Sequence, residues 1–362
     1  MAHIMGITFV SNGQVFATDE SGNHVFEASA PINAVTPVVS AGALHDLDFR
    51  CYVGTGDGNI AKFNRGSLST PQFFHVTDYP VLWSLYHAAG VLYLGTGDFS
   101  SSGPFDLLAL DDQTLAPRWR VSSPGPMMYP VGVAYTGNTP KQVIVSSGNP
   151  NPALRGLDVA TGAELWSVPE TVFGQKVHDG VVYYGELASS TLRARLASDG
   201  SLLWSFRNPR FFSFQVPMVA GGVVWASSAG NEVYALDASN GNALWEVALG
   251  EHPGVPAVGF DHPNGLSLVA VAEQNGISVG FLQGIDANTG ARLWTSNVPV
   301  SQEGGSCTDP IVIPHFEGGL EVQVGTADGA LMTFNPYDGQ LLWQRQLTPG
   351  SSLLAKPNWV IF

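Results

Sequence analysis

Short apolar runs that alternate with polar residues and break at Gly, Asn or Asp recur along the whole chain: CYVGTGDG at 51–58, VLYLGTGD at 91–98, VIVSSGN at 143–149, VVYYGE at 181–186, VVWASSAGN at 223–231 and VQVGTADG at 322–329. Period-two patterning bounded by such residues predicts half-buried strands joined by tight turns. After each run a polar turn leads to an aromatic marker. The eight segments are TDESGNHVF at 18–26, NRGSLSTPQFF at 64–74, LDDQTLAPRW at 110–119, LDVATGAELW at 157–166, LASDGSLLW at 196–204, LDASNGNALW at 236–245, IDANTGARLW at 285–294 and FNPYDGQLLW at 334–343. The markers stand roughly 38–49 residues apart, the period of a four-stranded radial repeat and not of a helical solenoid. A third element lies upstream, where Pro37, Pro80, Pro130, Pro217, Pro256, Pro310 and Pro357 open apolar stretches and Gln175 takes that place in the fifth unit. Proline at the first residue of a strand costs no ladder donor.

Each unit therefore reads as four strands. Residues 6–11 look like a second strand, and KPNWVIF at 356–362 looks like a first strand without its partners. The expectation is one all-β domain over 1–362, an eight-bladed β-propeller of four-stranded antiparallel blades. Its blades are expected at 1–28 with 356–362, 34–75, 78–122, 128–169, 172–207, 213–250, 254–299 and 307–347. Pairing the C-terminal strand with the N-terminal blade would close the ring and remove two open sheet edges.

The form A-x-D-x-x-T-G-x-x-x-W is closely matched at 157–166, 236–245 and 285–294, with five degenerate copies. On this motif the chain resembles the PQQ-like repeat propellers, the quinoprotein alcohol dehydrogenase-like superfamily, over essentially its whole length. The resemblance implies the fold, with the motif Trp docking between blades. It leaves function open, because the family holds cofactor-dependent dehydrogenases, non-enzymatic assembly scaffolds of the BamB type, near this chain in size, and sensor domains.

Composition agrees with a large packed core: 362 residues, 44% hydrophobic, with 42 glycines for many turns. The net charge of −15 opposes nucleic acid or an anionic membrane as partner. No apolar run reaches the length of a transmembrane helix. The start MAHIMGITFV has no basic n-region, h-region or cleavage site, and no cysteine for a lipid anchor, so two compartments stay open: cytoplasmic, or exported and met without a leader. Cys51 and Cys307 fall in different blades, too far apart to bridge.

Loops from each outer strand to the next inner strand crowd one mouth of the channel, where the resemblance places the dehydrogenases' cofactor. They read FFHVTDY at 73–79, PMMY at 126–129, VFGQK at 172–176, FFSFQ at 211–215, EHPG at 251–254, EGGSCTD at 303–309 and LLAK at 353–356. An apolar wall is expected from Phe74, Tyr79, Met128, Phe173, Phe212 and Phe214, joined by Gln175, Gln215 and Cys307. Candidate acids and bases are Asp78, Tyr129, His252, Glu303, Asp309 and Lys356; an apolar funnel would raise a carboxylate's pKa and lower a lysine's. The competing reading packs these aromatics between blades. Asp158, Asp237 and Asp286 recur at one motif position and read as turn braces. His45, His87, His262 and His315 lack metal-ligand spacing, and His178 belongs to a turn.

The resembling dehydrogenases use an Asp base, a calcium held by Glu and Asn, a Trp under the quinone and often a disulfide between adjacent cysteines. This chain has no adjacent cysteines, and no metal or PQQ is expected. Two readings remain. One is a binding or scaffold propeller holding an apolar small molecule or a protein segment at the mouth. The other is a cofactor-independent enzyme, a lyase, isomerase, cyclase or hydrolase acting on an apolar substrate there.

Overall fold

A computed structural model describes residues 4–9, 15–19, 24–27, 39–41, 50–64, 70–97, 105–123, 127–148, 151–186, 188–210, 214–250, 252–261, 266–275, 279–299, 309–314, 319–326 and 329–346. All regular structure among these residues is β-strand. The strands form a three-stranded sheet (Ile4–Phe9, Val15–Asp19, His24–Glu27) and seven larger antiparallel ones, spanning 39–75, 81–123, 127–168, 172–207, 218–248, 252–299 and 311–346. Six have four strands in chain order, and the sheet at 252–299 has five because His252–Pro253 and Ala257–Asp261 both pair with Leu266–Asn275. This all-β arrangement of repeated four-stranded antiparallel sheets fits a propeller. The 356–362 strand lies outside the described residues.

The chain divides into two compact units: Gly13–Val15, Phe26–Ser205 and Val360–Phe362 in one, and Met1–Asn12, Phe16–Val25 and Phe206–Trp359 in the other. Within each, the core lies between consecutive sheets. In the first, Leu92, Leu94 and Leu108 pack with Tyr52 and Ile60, while Tyr93, Leu107 and Ala109 on the opposite face pack with Val133, Val143 and Val145. In the second, Leu268, Ala270 and Leu282 pack with Val322, Val324 and Phe334.

The second strands are consequently buried on both faces, as at Val91–Thr96, which corrects the half-buried expectation. A sheet covered on two sides has no wet face and needs no alternation. The fourth strands carry the exposure instead, as at Glu164–Val168 and Ala243–Ala248.

Proline stands just before the first strands Val81–Ala88, Met218–Ala220, Ala257–Asp261 and Ile311–Pro314. Pro130 differs, lying inside Met127–Thr136 where the register shifts on both sides of Tyr129–Pro130. Gln175 sits beside the equivalent shift in Val172–His178. A bulge accommodates the missing donor.

The motif turns at Asp158, Asp237 and Asp286 are braced internally, and four marker indoles brace the turn of the sheet that follows. The Oδ1 of Asp158 accepts from the amides of Ala160 (3.0 Å) and Thr161 (2.9 Å) and from the Thr161 hydroxyl (2.9 Å). Asp286 repeats this with Asn288 and Thr289, and Asp237 accepts from the Ser239 amide and hydroxyl. Trp119 Nε1 donates to the Val159 carbonyl (2.9 Å) and Trp166 Nε1 to Ala197 (2.9 Å); in the other unit Trp245 Nε1 donates to Ala287 (3.0 Å) and Trp294 Nε1 to Pro336 (2.7 Å). Each indole also lies on the turn glycine of the sheet that follows. A Cβ on Gly162, Gly200, Gly290 or Gly339 would come within 2.6–2.9 Å of the indole of Trp119, Trp166, Trp245 or Trp294. These glycines have φ of +72 to +74°, so glycine there answers both backbone and packing.

Candidate functional site

Antiparallel order brings the loop entering each first strand to the same sheet end as the turn between the second and third strands. At 50–79 that turn is closed by Thr55, whose Oγ1 accepts from the Asn59 amide at 3.0 Å. Val76 and Thr77 donate their amides to the Gly58 carbonyl at 3.1 and 3.2 Å, pinning the following loop onto the turn. The Thr55 hydroxyl also bonds Asp57 and holds its carboxyl below the usual range.

Asp78 projects from this loop, 92% exposed, 3.2 Å from His75 Nε2. Tyr79 is partly buried, with its amide on Thr77 Oγ1. On the fourth strand of the next sheet Arg120 donates to the fully buried Asp106; Ser122 Oγ donates to the other oxygen of that carboxylate at 2.6 Å. The Asp106 bond raises the Arg120 pKa, and the negative charge of Asp78 acts in the same direction. Sequence reasoning missed this half-exposed, anchored guanidinium. Only the charged residues in strand positions, Asp106 beside Arg120, hinted at it.

Phe74 packs against the core between the sheets at 39–75 and 81–123, with Lys62 Nζ 5.9 Å from its ring centre. Its neighbour Phe73 is 52% exposed. Gln175 is buried and donates through Nε2 to Ser146 Oγ at 2.9 Å, joining two sheets. Tyr129, Met128 and Phe173 lie in first strands, but their side chains fall outside the described atoms.

In the other unit Phe214 is buried against Phe206 and Tyr234, at ring separations of 6.1 and 5.7 Å. Gln215 donates its amide to the Ser227 carbonyl at 2.8 Å. Burial pushes the Tyr234 phenol up to about 12. His252 pairs with Gln274 through the backbone, its side chain outside the described atoms. Asp309 Oδ1 accepts the Val255 amide at 2.7 Å, and Gly254 lies so close that a Cβ there would be 2.4 Å from the same oxygen. Glu303, Cys307, Phe212 and Lys356 lie outside the described residues.

A second unpredicted cluster is ionic. Glu170 accepts from Arg193, from Arg195 Nη2 at 2.7 Å and from the Tyr184 hydroxyl, and Arg195 Nε donates back to Tyr184 at 2.6 Å. Burial drives the Tyr184 phenol upward. Cys51 is a free, buried thiol whose pKa burial also raises. No three His, Cys, Asp or Glu side chains converge among the described residues, and no described helix is long and apolar enough to cross a membrane.

The family described as "Outer membrane protein assembly factor BamB" matches at residues 150–298 and again at 188–353, together more than half of the chain. The chain belongs to this PQQ-like repeat propeller family. Among solved structures, BamB from Moraxella catarrhalis is similar with a TM-score of 0.63 and 18% identity, covering 86% of this chain and 90% of that one. The dihydro-heme d1 dehydrogenase NirN gives 0.68 at 10% identity, over 99% of this chain and 74% of the other. A europium-containing methanol dehydrogenase gives 0.58 at 12%, over 86% and 81%. These likenesses show the PQQ-like propeller fold shared by members with different chemistry. One curated relative, the serine/threonine-protein kinase AfsK of Streptomyces griseus, is 35% identical over 109 residues, which is 26% of this chain but only 13% of the kinase.

Proposed function

We propose that this PQQ-like repeat chain is a binding or scaffold propeller that holds a protein segment. The observation that carries the reading is a row of leucines, each one residue before a marker tryptophan. Leu165, Leu203, Leu244, Leu293 and Leu342 are 42–55% exposed on fourth strands, the sheet edges. Edge strands that keep apolar side chains in water offer both main-chain groups and pockets to an added segment. Two aromatics expected in a small-molecule wall, Phe74 and Phe214, pack inside their units instead, which favours the segment over the small ligand. Phe73, Asp78 and Tyr79 would add contacts at the mouth. The reading takes all of 1–362 as one eight-bladed ring, closed by 356–362, and requires no quinone or metal. The similar BamB supports it by fold.

The test is affinity capture with cross-linking and mass spectrometry on wild type, Leu244→Ser/Leu293→Ser and Phe73→Ala/Asp78→Asn. A protein cross-linked at these strands in wild type and lost from a folded variant supports the proposal. A cross-linked set identical in all three proteins sinks it.

A further inference from the structure

The sheet at 311–346 turns one face to the core it shares with 252–299, through Val322, Val324, Met332 and Phe334. On its other face Gln323, Thr333 and Trp343 are direct cross-strand neighbours, Gln323 opposite Thr333 and Thr333 opposite Trp343. Such neighbours point their side chains to one side and lie within reach of one another. Gln323 and Thr333 are 0% exposed. Yet Gln323 Nε2 and Oε1, Thr333 Oγ1 and Trp343 Nε1 are all buried without a hydrogen-bond partner.

Chemically similar groups on other sheets are satisfied within the chain, and the marker indoles of Trp119, Trp166, Trp245 and Trp294 each reach a turn carbonyl. Thr295 Oγ1 donates to Gln283 Oε1 at 2.6 Å, and Trp166 Nε1 donates to Gln142 Oε1 at 2.8 Å. Buried polar atoms left over in such a row are the usual lining of an internal hydration site, where one water makes about three bonds.

We propose that the Gln323, Thr333 and Trp343 side chains form an internal hydration site that holds ordered water. The chemistry matches water and not an ion. The indole N–H and the amide NH₂ need an acceptor, the amide oxygen needs a donor, and the hydroxyl takes either role. None of the three carries a formal charge to compensate an ion's. The water would join three strands of this sheet.

The experiment combines a crystal structure at a resolution that shows ordered water with oxygen-17 relaxation dispersion, which counts long-lived internal waters, on wild type and on Gln323→Leu/Thr333→Val. The expected result is a water bonded to at least two of the three side chains in wild type, and a lower count of long-lived waters in the double variant. A dry row in wild type, or an equal count in both proteins, overturns the proposal. Should the double variant fail to fold, Trp343→Phe, which deletes one donor, is compared with wild type by the same two measurements.

Discussion

Trp294 Nε1 donates to the Pro336 carbonyl at 2.7 Å while its ring, 2.6 Å from the ideal Cβ, and Ser296 Oγ, 2.5 Å from it, fill the space a side chain on Gly339 would need. Gly222 has nearly the same backbone, φ +77° against +73°, with nothing within 4 Å of its Cβ. Alanine at Gly222 meets only the left-handed backbone cost of about 1–2 kcal/mol, whereas Gly339→Ala adds overpacking for a total of about 2–5 kcal/mol. Denaturant unfolding of the two variants measures the difference, and equal losses would refute the indole contact. Trp294→Ala is expected to cost about 3–5 kcal/mol.

Glu170 holds two guanidinium groups and a phenol that are largely buried. Replacing it with Ala leaves Arg193 and Arg195 short of their counter-charge, and a loss of about 3–5 kcal/mol is expected. Urea titration decides; a change within error of zero would show the cluster to be solvated in solution.

Asp309 was a candidate acid from sequence, but its Oδ1 is already engaged by the Val255 amide. Asp309→Ala should cost about 1–3 kcal/mol by orphaning that amide, and Asp309→Asn, which keeps the acceptor, should restore most of it. Thermal unfolding of both variants tests this. A fully stable Asp309→Ala protein would show that the Val255 contact carries no structural weight.

Several turn carboxyls titrate below their ordinary values: Asp111 through Arg118, Asp158 through the Thr161 hydroxyl and Asp237 through the Ser239 hydroxyl. A carboxyl with its folded pKa below the unfolded value of about 3.9 adds stability above that pH and loses it as pH falls through the folded value. The triple variant Asp111→Asn/Asp158→Asn/Asp237→Asn keeps acceptor oxygens that do not titrate. Its unfolding midpoint should fall less than that of wild type between about pH 5 and pH 2. Parallel pH curves for the two proteins would argue against this origin of acid sensitivity.

The repeat was legible because its signals are local. Asp158, Thr161 and Gly162 each satisfy a requirement of their own turn, so spacing alone finds them. What lies between sheets was not legible. Phe74 and Phe73 are neighbours of one type, yet one packs into a core and the other stands in water. Nothing in the sequence says which face a neighbouring sheet will cover. The Asp106–Arg120 pair and the Glu170 cluster are hidden for the same reason, since their members are 14 to 25 residues apart and meet only through the folding of strands and connections. The leucines before Trp166, Trp204, Trp245, Trp294 and Trp343 are plain in the sequence, but their exposure depends on the fourth strand being the edge.

The indoles of Trp119, Trp166, Trp245 and Trp294 each tie their sheet to the turn of the one after it. Adhesion within each unit is therefore handed on pairwise, like clasps on a chain. Under mechanical load a unit pulled by one end should yield in discrete steps of one sheet at a time, each step releasing an indole from its glycine.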